Sequence, residues 1–223
     1  MLVFVAAERR ELEGLLVHVN EIRRPDWPLD FARVGSLNGR PVALVANGPG
    51  PQLAGAAVDA VGKMDALIST GFCGGLVRSL QACDIFVATE VVGVAPALAP
   101  SSSRAFKSGK LLSIDRVVST AAEKAVLAKS ADAVEMEAGA VAARAHAYDV
   151  PFYAVRVVTD TWEESFPLDF NAMRSTDGRF SRAKILAAAL RKPGTVFPEL
   201  MKLNKRTKRA SQALGDFLAD ARF

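Results

Sequence analysis

Two short segments of the sequence carry carboxylates at positions where a side chain could do chemistry. Glu135 and Glu137 stand in VEMEAGAVA, where a predicted helix begins, and Asp160 follows the apolar run FYAVRVVT. The helix dipole favours negative charge at a helix N-terminus, which is a structural explanation for the two glutamates. A carboxyl group with apolar neighbours also has a raised pKa and can act as a general acid near neutral pH. Asp160 is therefore a candidate acid, and Glu137 is placed to accept hydrogen bonds from ribose hydroxyls.

Two glycine-rich turns follow predicted strands. The segment NGPGPQLAG (47–55) leads from a strand into a helix, where backbone N–H groups can approach an anion. Its glycine spacing is not that of a dinucleotide-binding motif, and a tight turn without a ligand explains it equally well. The segment STGFCGGL (69–76) leaves bare backbone at the carboxyl end of a strand, where ligands bind in open α/β sheets. We expect a small ligand or its ribose against these amides.

The elements around these motifs alternate between short apolar runs and helical patterns. Strands that are apolar on both faces and alternate with helices indicate an α/β domain with a covered, largely parallel sheet. Residues 95–109 are rich in Pro, Ser and Gly and are predicted to be a loop. From Ser181 onward three helical stretches are predicted, separated by Pro193-Gly194 and by a turn near Asn204. The predicted strands are 2–7, 41–48, 65–71, 84–92, 110–114 and 152–158, and the predicted helices include 8–19, 52–61 and 137–148.

Length and composition limit the class of protein. The chain has 223 residues, 50% of them hydrophobic, which fits one domain with an appendage. There is no apolar run long enough for a transmembrane helix, and MLVFVAAERRELEGLL fits a core strand better than a signal peptide. The two cysteines, Cys73 and Cys83, form no C-x-x-C pair, and the two histidines lack ligand spacing. We therefore expect a cytoplasmic protein without a metal site.

The charge is divided unevenly along the chain. Residues 174–223 contain 12 Lys+Arg and 4 Asp+Glu, whereas residues 1–173 contain 16 and 20. We expect a body of residues 1–173 and a basic helical extension of residues 174–223 packed on it. Such an extension could meet nucleic acid, an anionic membrane or another subunit, or it could simply be a solvated helical face. No helix-turn-helix, RNP or zinc pattern accompanies it, so nucleic acid is not expected as a partner.

Four motifs occur in the order of a known family. VEMEAGAVA followed by VPFYAVRVVTD resembles the signature of the purine nucleoside phosphorylase and nucleosidase superfamily, in which Met-Glu begins a helix and the next strand ends in Arg-x-x-Ser/Thr-Asp. TGFCGGL resembles its glycine loop, and NGPGPQLAGAA resembles its Ser-Gly-Ile-Gly turn. AAERRELEGLL resembles the start of the methylthioadenosine/S-adenosylhomocysteine nucleosidases. The resemblance implies a three-layer α/β/α sandwich around a central mixed, mostly parallel sheet, with a helical C-terminal appendage.

The C-terminal region adds a narrower likeness. Residues 168–218 resemble the tail of the hopanoid-associated phosphorylase branch, in which a DG turn precedes a helix, an Arg-x-Pro break and a final basic helix. That branch removes adenine from adenosylhopane, an adenosine joined to a pentacyclic lipid. The resemblance implies that this chain acts on a similar substrate.

The family resemblance also implies roles for individual residues. Asp160 would protonate or hydrogen-bond purine N7, Met136 would pack on the ribose, and Glu137 would hold the ribose hydroxyls with Glu135 beside it. The implied purine contacts are Phe72, Cys73, Gly74, Val117 and Val118, and the implied pocket for phosphate, another anion or water is formed by Gly48, Gly50 and Gly71.

The nucleosidases of the family use an N-terminal glutamate to activate water, and its position here is ambiguous. AAERRELEGLL has one residue more than the family segment before its Leu pair. Counting from the Ala pair selects Arg10, and counting from the Leu pair selects Glu11. We favour Glu11 and keep the nearby Glu8 as the alternative. A negative charge favoured by the helix dipole explains either glutamate without a catalytic role.

Two departures bear on the reaction. Where the phosphorylases place an arginine and a serine on phosphate, this chain has Ser69 and Phe72, which removes a bidentate anion partner and a hydroxyl donor. That favours water as the nucleophile, whereas the hopanoid branch uses phosphate, so both remain open. The segment between Val92 and Ser113 is also shorter than in the nucleosidases, which predicts a more open 5′ side of the ribose. Candidate replacements for the missing phosphate arginine are Arg33, Arg40, Arg78 and Arg104.

These observations predict an enzyme that cleaves the N-glycosidic bond of an adenine nucleoside, by water or phosphate. The alternative is a purine-nucleoside-binding protein without turnover, but such a protein would not need an acid at Asp160. No cofactor is expected apart from phosphate as a co-substrate. The resemblance implies a homo-oligomer, and the basic extension suggests peripheral contact with a membrane.

Overall fold

The apolar segments of the chain form one mixed β-sheet in the computed structural model, which describes residues 1–166, 168–175, 178–181, 184 and 193–223. A 3-10 helix lies at Asn171–Met173. The strands are β1 (Leu2–Ala6), β2 (Asn20–Arg23), β3 (Phe31–Leu37), β4 (Arg40–Ala46), β5 (Ala66–Gly75), β6 (Ile85–Val91), β7 (Ala95–Pro96), β8 (Lys107–Ser113), β9 (Ala133–Glu135) and β10 (Phe152–Asp160). The α-helices are α1 (Arg9–Leu16), α2 (Pro51–Asp59), α3 (Ala121–Leu127), α4 (Ala138–Ala147) and α5 (Pro193–Asp220).

Five of the strands close into a ring. β5 is parallel to β10, β10 is antiparallel to β6, β6 is parallel to β8, β8 is parallel to β9, and β9 is antiparallel to β5. From the first half of β5 the sheet extends through β1, β4, β3 and β2 in that order. Because β5 and β10 are parallel, with Asp160 opposite Gly74, their carboxyl ends lie side by side. The short β9 pairs with the last two residues of β5 and so joins the same place.

Helices cover both faces of the sheet. On one face α2 and α4 contribute buried side chains such as Val58 and Val141 to a core shared with the strands. On the other face α1 and α5 contribute side chains such as Leu15 and Phe217 to a second core. The predicted three-layer α/β/α architecture with a helix at the C-terminal end is therefore confirmed.

The C-terminal helix α5 lies directly on α1. The N–H of Gly14 donates to Ser211 Oγ at 3.1 Å, and a Cβ at Gly14 would stand 1.9 Å from the backbone oxygen of Ser211. Only a residue without a side chain allows two backbones to approach so closely. The contact ties α5 to the helix whose first turn carries Glu11. A boundary at residue 173 remains a prediction, and α5 itself is integrated into the core.

Most of the predicted elements are confirmed, with ends shifted by a few residues. The sequence patterns did not reveal β2, β3, β9 and α3, and the predicted loop 95–109 contains β7 and the first residues of β8. The turn predicted near Asn204 is wrong, because α5 runs without interruption from Pro193 to Asp220. The helix predicted between Ser181 and Pro193 lies largely outside the described residues.

The burial of α5 leads to a stability prediction. Phe217 is fully buried between α5 and the sheet, so Phe217→Ala should lower the free energy of unfolding by about 3–5 kcal/mol, through lost burial and the cavity left behind. Denaturant unfolding followed by circular dichroism measures the change. Met201→Ala is the control on the same helix, since Met201 is 55% exposed and its truncation should change stability by about 0.5 kcal/mol or less. Equal effects of the two substitutions would contradict the placement of α5 in the core.

Candidate active site

A cleft of about 1150 Å³ opens where the carboxyl ends of β5 and β10 meet β9 and the first turn of α1. Its lining includes every residue that the sequence predicted for the site except Gly50 and Gly71. The predicted residues that line it are Glu8, Glu11, Gly48, Phe72, Cys73, Gly74, Val117, Val118, Glu135, Met136, Glu137 and Asp160.

Glu11 enters the cleft from the first turn of α1. Its carboxylate accepts hydrogen bonds from the backbone N–H groups of Glu8 and Phe72, each at 2.9 Å. Burial raises the pKa of Glu11 above its usual value. Gly71 lies behind the carboxylate with φ of +133°, and a Cβ there would be 2.8 Å from Glu11 Oε1, so only glycine fits. Glu8, by contrast, stands at the rim with a partly exposed side chain paired to Arg10.

Glu137 caps the N-terminus of α4 and faces the glycine turn before α2. Its Oε1 accepts a hydrogen bond of 2.8 Å from the Gly50 N–H, so the anion at the start of α2 is a carboxyl group of the protein itself. Burial, and then the neighbouring charge of Glu135, raise the pKa of Glu137 well above that of an exposed glutamate. Glu137 can therefore exist in both protonation states near neutral pH.

Glu135 is held in place beneath the cleft by an ion pair. Its carboxylate accepts a hydrogen bond of 2.5 Å from Arg156, which has no solvent exposure, and further bonds from the N–H groups of Glu137 and Ala138. Arg156 also donates to Ser69 Oγ at 2.5 Å. Since protein donors occupy both oxygens of Glu135, its geometry fixes the start of α4 and thereby the position of Glu137.

Asp160 ends β10 and points into the cleft with 6% of its surface exposed. Thr159 Oγ1 donates to one carboxyl oxygen at 2.9 Å, and Lys124 Nζ donates to the other at 2.5 Å. Burial raises the pKa of Asp160, whereas the Lys124 charge opposes that rise. A Cβ at Gly74 would stand 3.0 Å from Asp160 Oδ2, so the predicted purine loop passes close to the predicted acid.

Two short segments line the cleft together with Asp160. Phe72 and Cys73 belong to the last part of β5, and Val117 and Val118 follow β8. The family resemblance implies that Val117 contacts the purine, but both the N–H and the carbonyl of Val117 pair with the Asn171 side chain at 2.8 Å. The part of Val117 that is left to contact a base is therefore its apolar side chain.

The rest of the cleft lining comes partly from elements that the sequence predicted and partly from elements that it did not. No cleft-lining residue comes from the shortened segment 92–113, and a more open 5′ side of the ribose stays a prediction. None of Arg33, Arg40, Arg78 and Arg104 lines the cleft either; Arg78, for example, stacks on the Trp162 ring. Among the described residues, the lining beyond the predicted site residues includes Phe31, Phe166, Phe170, Phe180, Leu203, Asn204 and Thr207, together with Arg9, Arg10, Arg116 and Arg179.

Two buried cations next to the predicted acids were also missed. Arg156 belongs to the Arg-x-x-Thr-Asp run that ends β10, so its fixed spacing from Asp160 could have indicated a partner for one of the acids. Lys124 stands in AAEKAVL, and nothing in that segment indicates burial of a lysine. Its position becomes clear only when α3 is placed beside the end of β10.

Comparison with known proteins connects this geometry to one family. The sequence model of the phosphorylase superfamily matches residues 28–104 and 96–191. A 5′-methylthioadenosine/S-adenosylhomocysteine nucleosidase of Glaesserella parasuis serovar 5 is 27% identical over 205 residues, which cover 75% of this chain and 88% of the relative. A nucleosidase of the same name from Actinobacillus succinogenes is 28% identical over 172 residues, covering 61% and 75%.

Solved structures share the fold over nearly the whole chain. The 5′-methylthioadenosine/S-adenosylhomocysteine nucleosidase of Neisseria meningitidis, in complex with methylthio-immucillin-A, has a TM-score of 0.69 at 20% identity and covers 98% of this chain and 96% of its own. A futalosine hydrolase mutant of Helicobacter pylori has a TM-score of 0.66 at 16% identity, covering 97% and 96%. At sequence identities of 16% and 20%, the structural similarity establishes that the fold is shared.

The raised pKa of Glu137 predicts a pH-dependent cost to stability. An acid with a higher pKa folded than unfolded binds more protons in the folded state, so stability falls as pH rises from the ordinary glutamate pKa toward the raised one. Glu137→Gln keeps an oxygen for the Gly50 N–H but cannot ionise. The variant should therefore gain stability relative to the wild type as pH rises through this window, which thermal melts at a series of pH values measure.

A matched control separates this effect from a general change in charge. Glu163 is exposed in the loop after β10, so the difference between Glu163→Gln and the wild type should stay flat over the same pH range. If the Glu137→Gln difference is equally flat, the carboxyl group of Glu137 does not carry a burial penalty.

Proposed function

The chain belongs to the phosphorylase superfamily, and we propose that it hydrolyses the N-glycosidic bond of an adenine nucleoside and releases adenine. It is an enzyme of the nucleosidase and nucleoside phosphorylase class. The observation that carries the proposal is the meeting of three carboxyl groups, those of Glu11, Glu137 and Asp160, in one cleft. Each residue is only 5–7% exposed, so all three act in a site of low polarity.

Asp160 is the proposed proton donor to the leaving base. As the bond between C1′ and N9 breaks, its electron pair moves onto the purine, and a proton at N7 neutralises the charge that develops there. Burial raises the pKa of Asp160, and a raised pKa favours the protonated form that a general acid needs. The adenine ring would lie between Phe72–Gly74 and the two valines at 117 and 118.

Glu137 is the proposed anchor of the ribose. Its carboxylate can accept hydrogen bonds from the 2′- and 3′-hydroxyls, while Met136, which is 9% exposed, packs on the sugar. Hydrogen bonds to the charged form lower a carboxyl pKa, so substrate binding would favour ionised Glu137. A carboxylate close to the ring also stabilises the positive charge of an oxocarbenium-like transition state.

Water is the proposed nucleophile, with Glu11 as its base. The water oxygen bonds to C1′ and its proton passes to Glu11. Several observations support water over phosphate: Ser69 is bonded to Arg156 beneath the cleft, Phe72 offers no hydroxyl, and the Phe72 N–H is taken by Glu11. Phosphate as a co-substrate is the alternative that the assay below separates.

A large apolar group is the proposed 5′ substituent. Four phenylalanines and Leu203 line the cleft beyond the predicted site residues, and these side chains gain more from contact with an apolar group than with a polar one. Adenosylhopane has this character, and we propose it as the substrate, with a role in hopanoid biosynthesis.

The outer face of α5 is the proposed contact with a membrane. Lys202, Lys205, Lys208 and Arg209 are exposed there, while Leu203 on the same turns lines the cleft. Contact of this face with an anionic bilayer would therefore place the cleft mouth near the lipid. Across the part of the chain that the structure describes, none of the helices has the length and apolar character of a membrane span. Assembly into a homo-oligomer also stays a prediction.

The test of the function is adenine release with and without phosphate. Methylthioadenosine, S-adenosylhomocysteine, adenosine and an adenosyl lipid are supplied in turn, and adenine is quantified by chromatography. We expect release without phosphate, fastest from the lipid nucleoside. Asp160→Asn should lower the rate by about 10²- to 10⁴-fold, the range for loss of a general acid.

Each other outcome of this assay has a defined meaning. Release that requires phosphate would make the protein a phosphorylase. A loss in Glu8→Gln but not in Glu11→Gln would transfer the role of base to Glu8. Adenine binding without release from any substrate would leave a binding protein and overturn the mechanism.

Membrane contact is tested by vesicle sedimentation. Reversal of Lys202, Lys205, Lys208 and Arg209 to Glu should abolish co-sedimentation with phosphatidylserine vesicles, since each basic residue near an anionic surface contributes about 1 kcal/mol. The matched control reverses four exposed basic residues elsewhere, Arg23, Arg24, Lys63 and Lys129, and should retain more of the binding. Equal recovery of wild type and the α5 variant would remove the proposal.

A further inference from the structure

Lys124 is a lysine with no solvent exposure, on the two-turn helix α3. Its Nζ donates to Asp160 Oδ2 at 2.5 Å and to the carbonyl oxygen of Thr161 at 2.7 Å. It also stands 5.8 Å from the centre of the Phe166 ring. All of these partners belong to the end of β10 and the loop that follows it, so Lys124 connects α3 to the segment that carries the acid.

The burial of this ammonium group calls for an explanation. Removing an unpaired charge from water costs several kcal/mol, so a lysine is fully buried only when it is paired and hydrogen-bonded. An apolar side chain would hold α3 against the core without that cost. The ammonium group of Lys124 contacts the carboxylate of Asp160, which also faces the cleft.

Other ionisable groups near Asp160 have partners of their own. Glu164 forms a bidentate pair with Arg206, at 2.7 and 2.8 Å, which leaves little net charge from that side. Cys73 is buried, and burial raises the pKa of its thiol, so it stays neutral. Farther away, Arg156 is paired with Glu135. Lys124 is thus the cation in direct contact with Asp160.

We propose that Lys124 is a positioning residue that orients Asp160 and strengthens it as an acid. The inference rests on the proposed function, in which Asp160 gives a proton to the departing base. A carboxyl group that is merely buried holds its proton too tightly to be a good donor. The ammonium group stabilises the carboxylate left behind, and together with Thr159 it fixes the plane of the carboxyl group.

The sign of the effect follows from the contacts. Burial raises the pKa of Asp160 and Lys124 lowers it, so loss of the Lys124 charge raises it further. In Lys124→Met the acid would stay protonated to higher pH. The loss of activity at alkaline pH should therefore begin at a higher pH than in the wild type. The maximum rate for an adenine nucleoside should fall about 10-fold or more, because the acid is weaker.

The experiment compares two leaving groups over a range of pH. Adenosine needs a proton on its base, whereas para-nitrophenyl riboside releases a stable anion and does not. Lys124→Met should slow adenosine cleavage and shift its alkaline limb, with little effect on the nitrophenyl substrate. The control is Lys129→Met, which removes an exposed lysine just beyond α3 and should leave both profiles unchanged. Equal losses on both substrates without a shifted limb would reduce Lys124 to a structural role and overturn the proposal.

A second measurement does not depend on turnover. Carbon-13 NMR of the Asp160 carboxyl group, assigned with Asp160→Asn, gives its titration midpoint directly. We expect a higher midpoint in Lys124→Met than in the wild type, and an equal or lower midpoint overturns the proposal. If the wild type cleaves neither substrate, the proposed function fails, while the midpoints still decide the effect of Lys124 on Asp160. If Lys124→Met does not fold, Lys124→Gln takes its place with the same expected results. Glutamine keeps an N–H donor but removes the charge.

Discussion

The ion pair between Arg156 and Glu135 is the interaction on which the geometry of the cleft depends. Arg156 comes from the middle of β10, and Glu135 ends β9, so their hydrogen bond joins two strands of the ring under the cleft floor. Glu135 in turn receives the first N–H groups of α4, and Arg156 also binds the hydroxyl of Ser69 in β5. Removing one partner of such a pair leaves an uncompensated buried charge and costs about 3–5 kcal/mol. The pair therefore fixes β5, β9, β10 and the start of α4 relative to one another.

Above this pair, three buried acids share the cleft, and they are stabilised in two different ways. Glu11 and Glu137 are held by backbone N–H groups, which supply partial positive charge without adding a competing cation. Asp160 has a full cation, Lys124, at 2.5 Å. A group that must accept a proton or stabilise a positively charged sugar benefits from weak compensation, whereas a group that must release a proton benefits from strong compensation. The difference in partners thus matches the proposed difference in roles.

Site residues at the ends of helices and strands could be predicted from the sequence. Site residues whose partner lies far away in the chain could not. Glu137 and Asp160 could be predicted because Glu137 directly precedes a helix and Asp160 ends a strand, and both positions lie at the carboxyl edge of the sheet. Lys124 could not be predicted as a site residue because its partner, Asp160, is 36 residues away in the sequence. The turn predicted near Asn204 does not form, and the reason is energetic. An asparagine in a helix costs about 0.7 kcal/mol relative to alanine, which is less than the roughly 2 kcal/mol gained by burying one large apolar side chain such as Phe217.

Helix α5 links stability to the selection of the substrate. Its last turns lie in the core, where Leu214 and Phe217 are fully buried, while Leu203 on an earlier turn faces the cleft. Between these, Arg206 donates to the carbonyl of Thr159 at 2.9 Å, immediately before Asp160. The helix is therefore anchored at both the core and the acid, and Gly14 holds it against the helix that carries the proposed base. The core residues Leu214 and Phe217 lie on later turns than Leu203, so substitutions at Leu203 can alter the cleft lining without removing the core contacts of the helix.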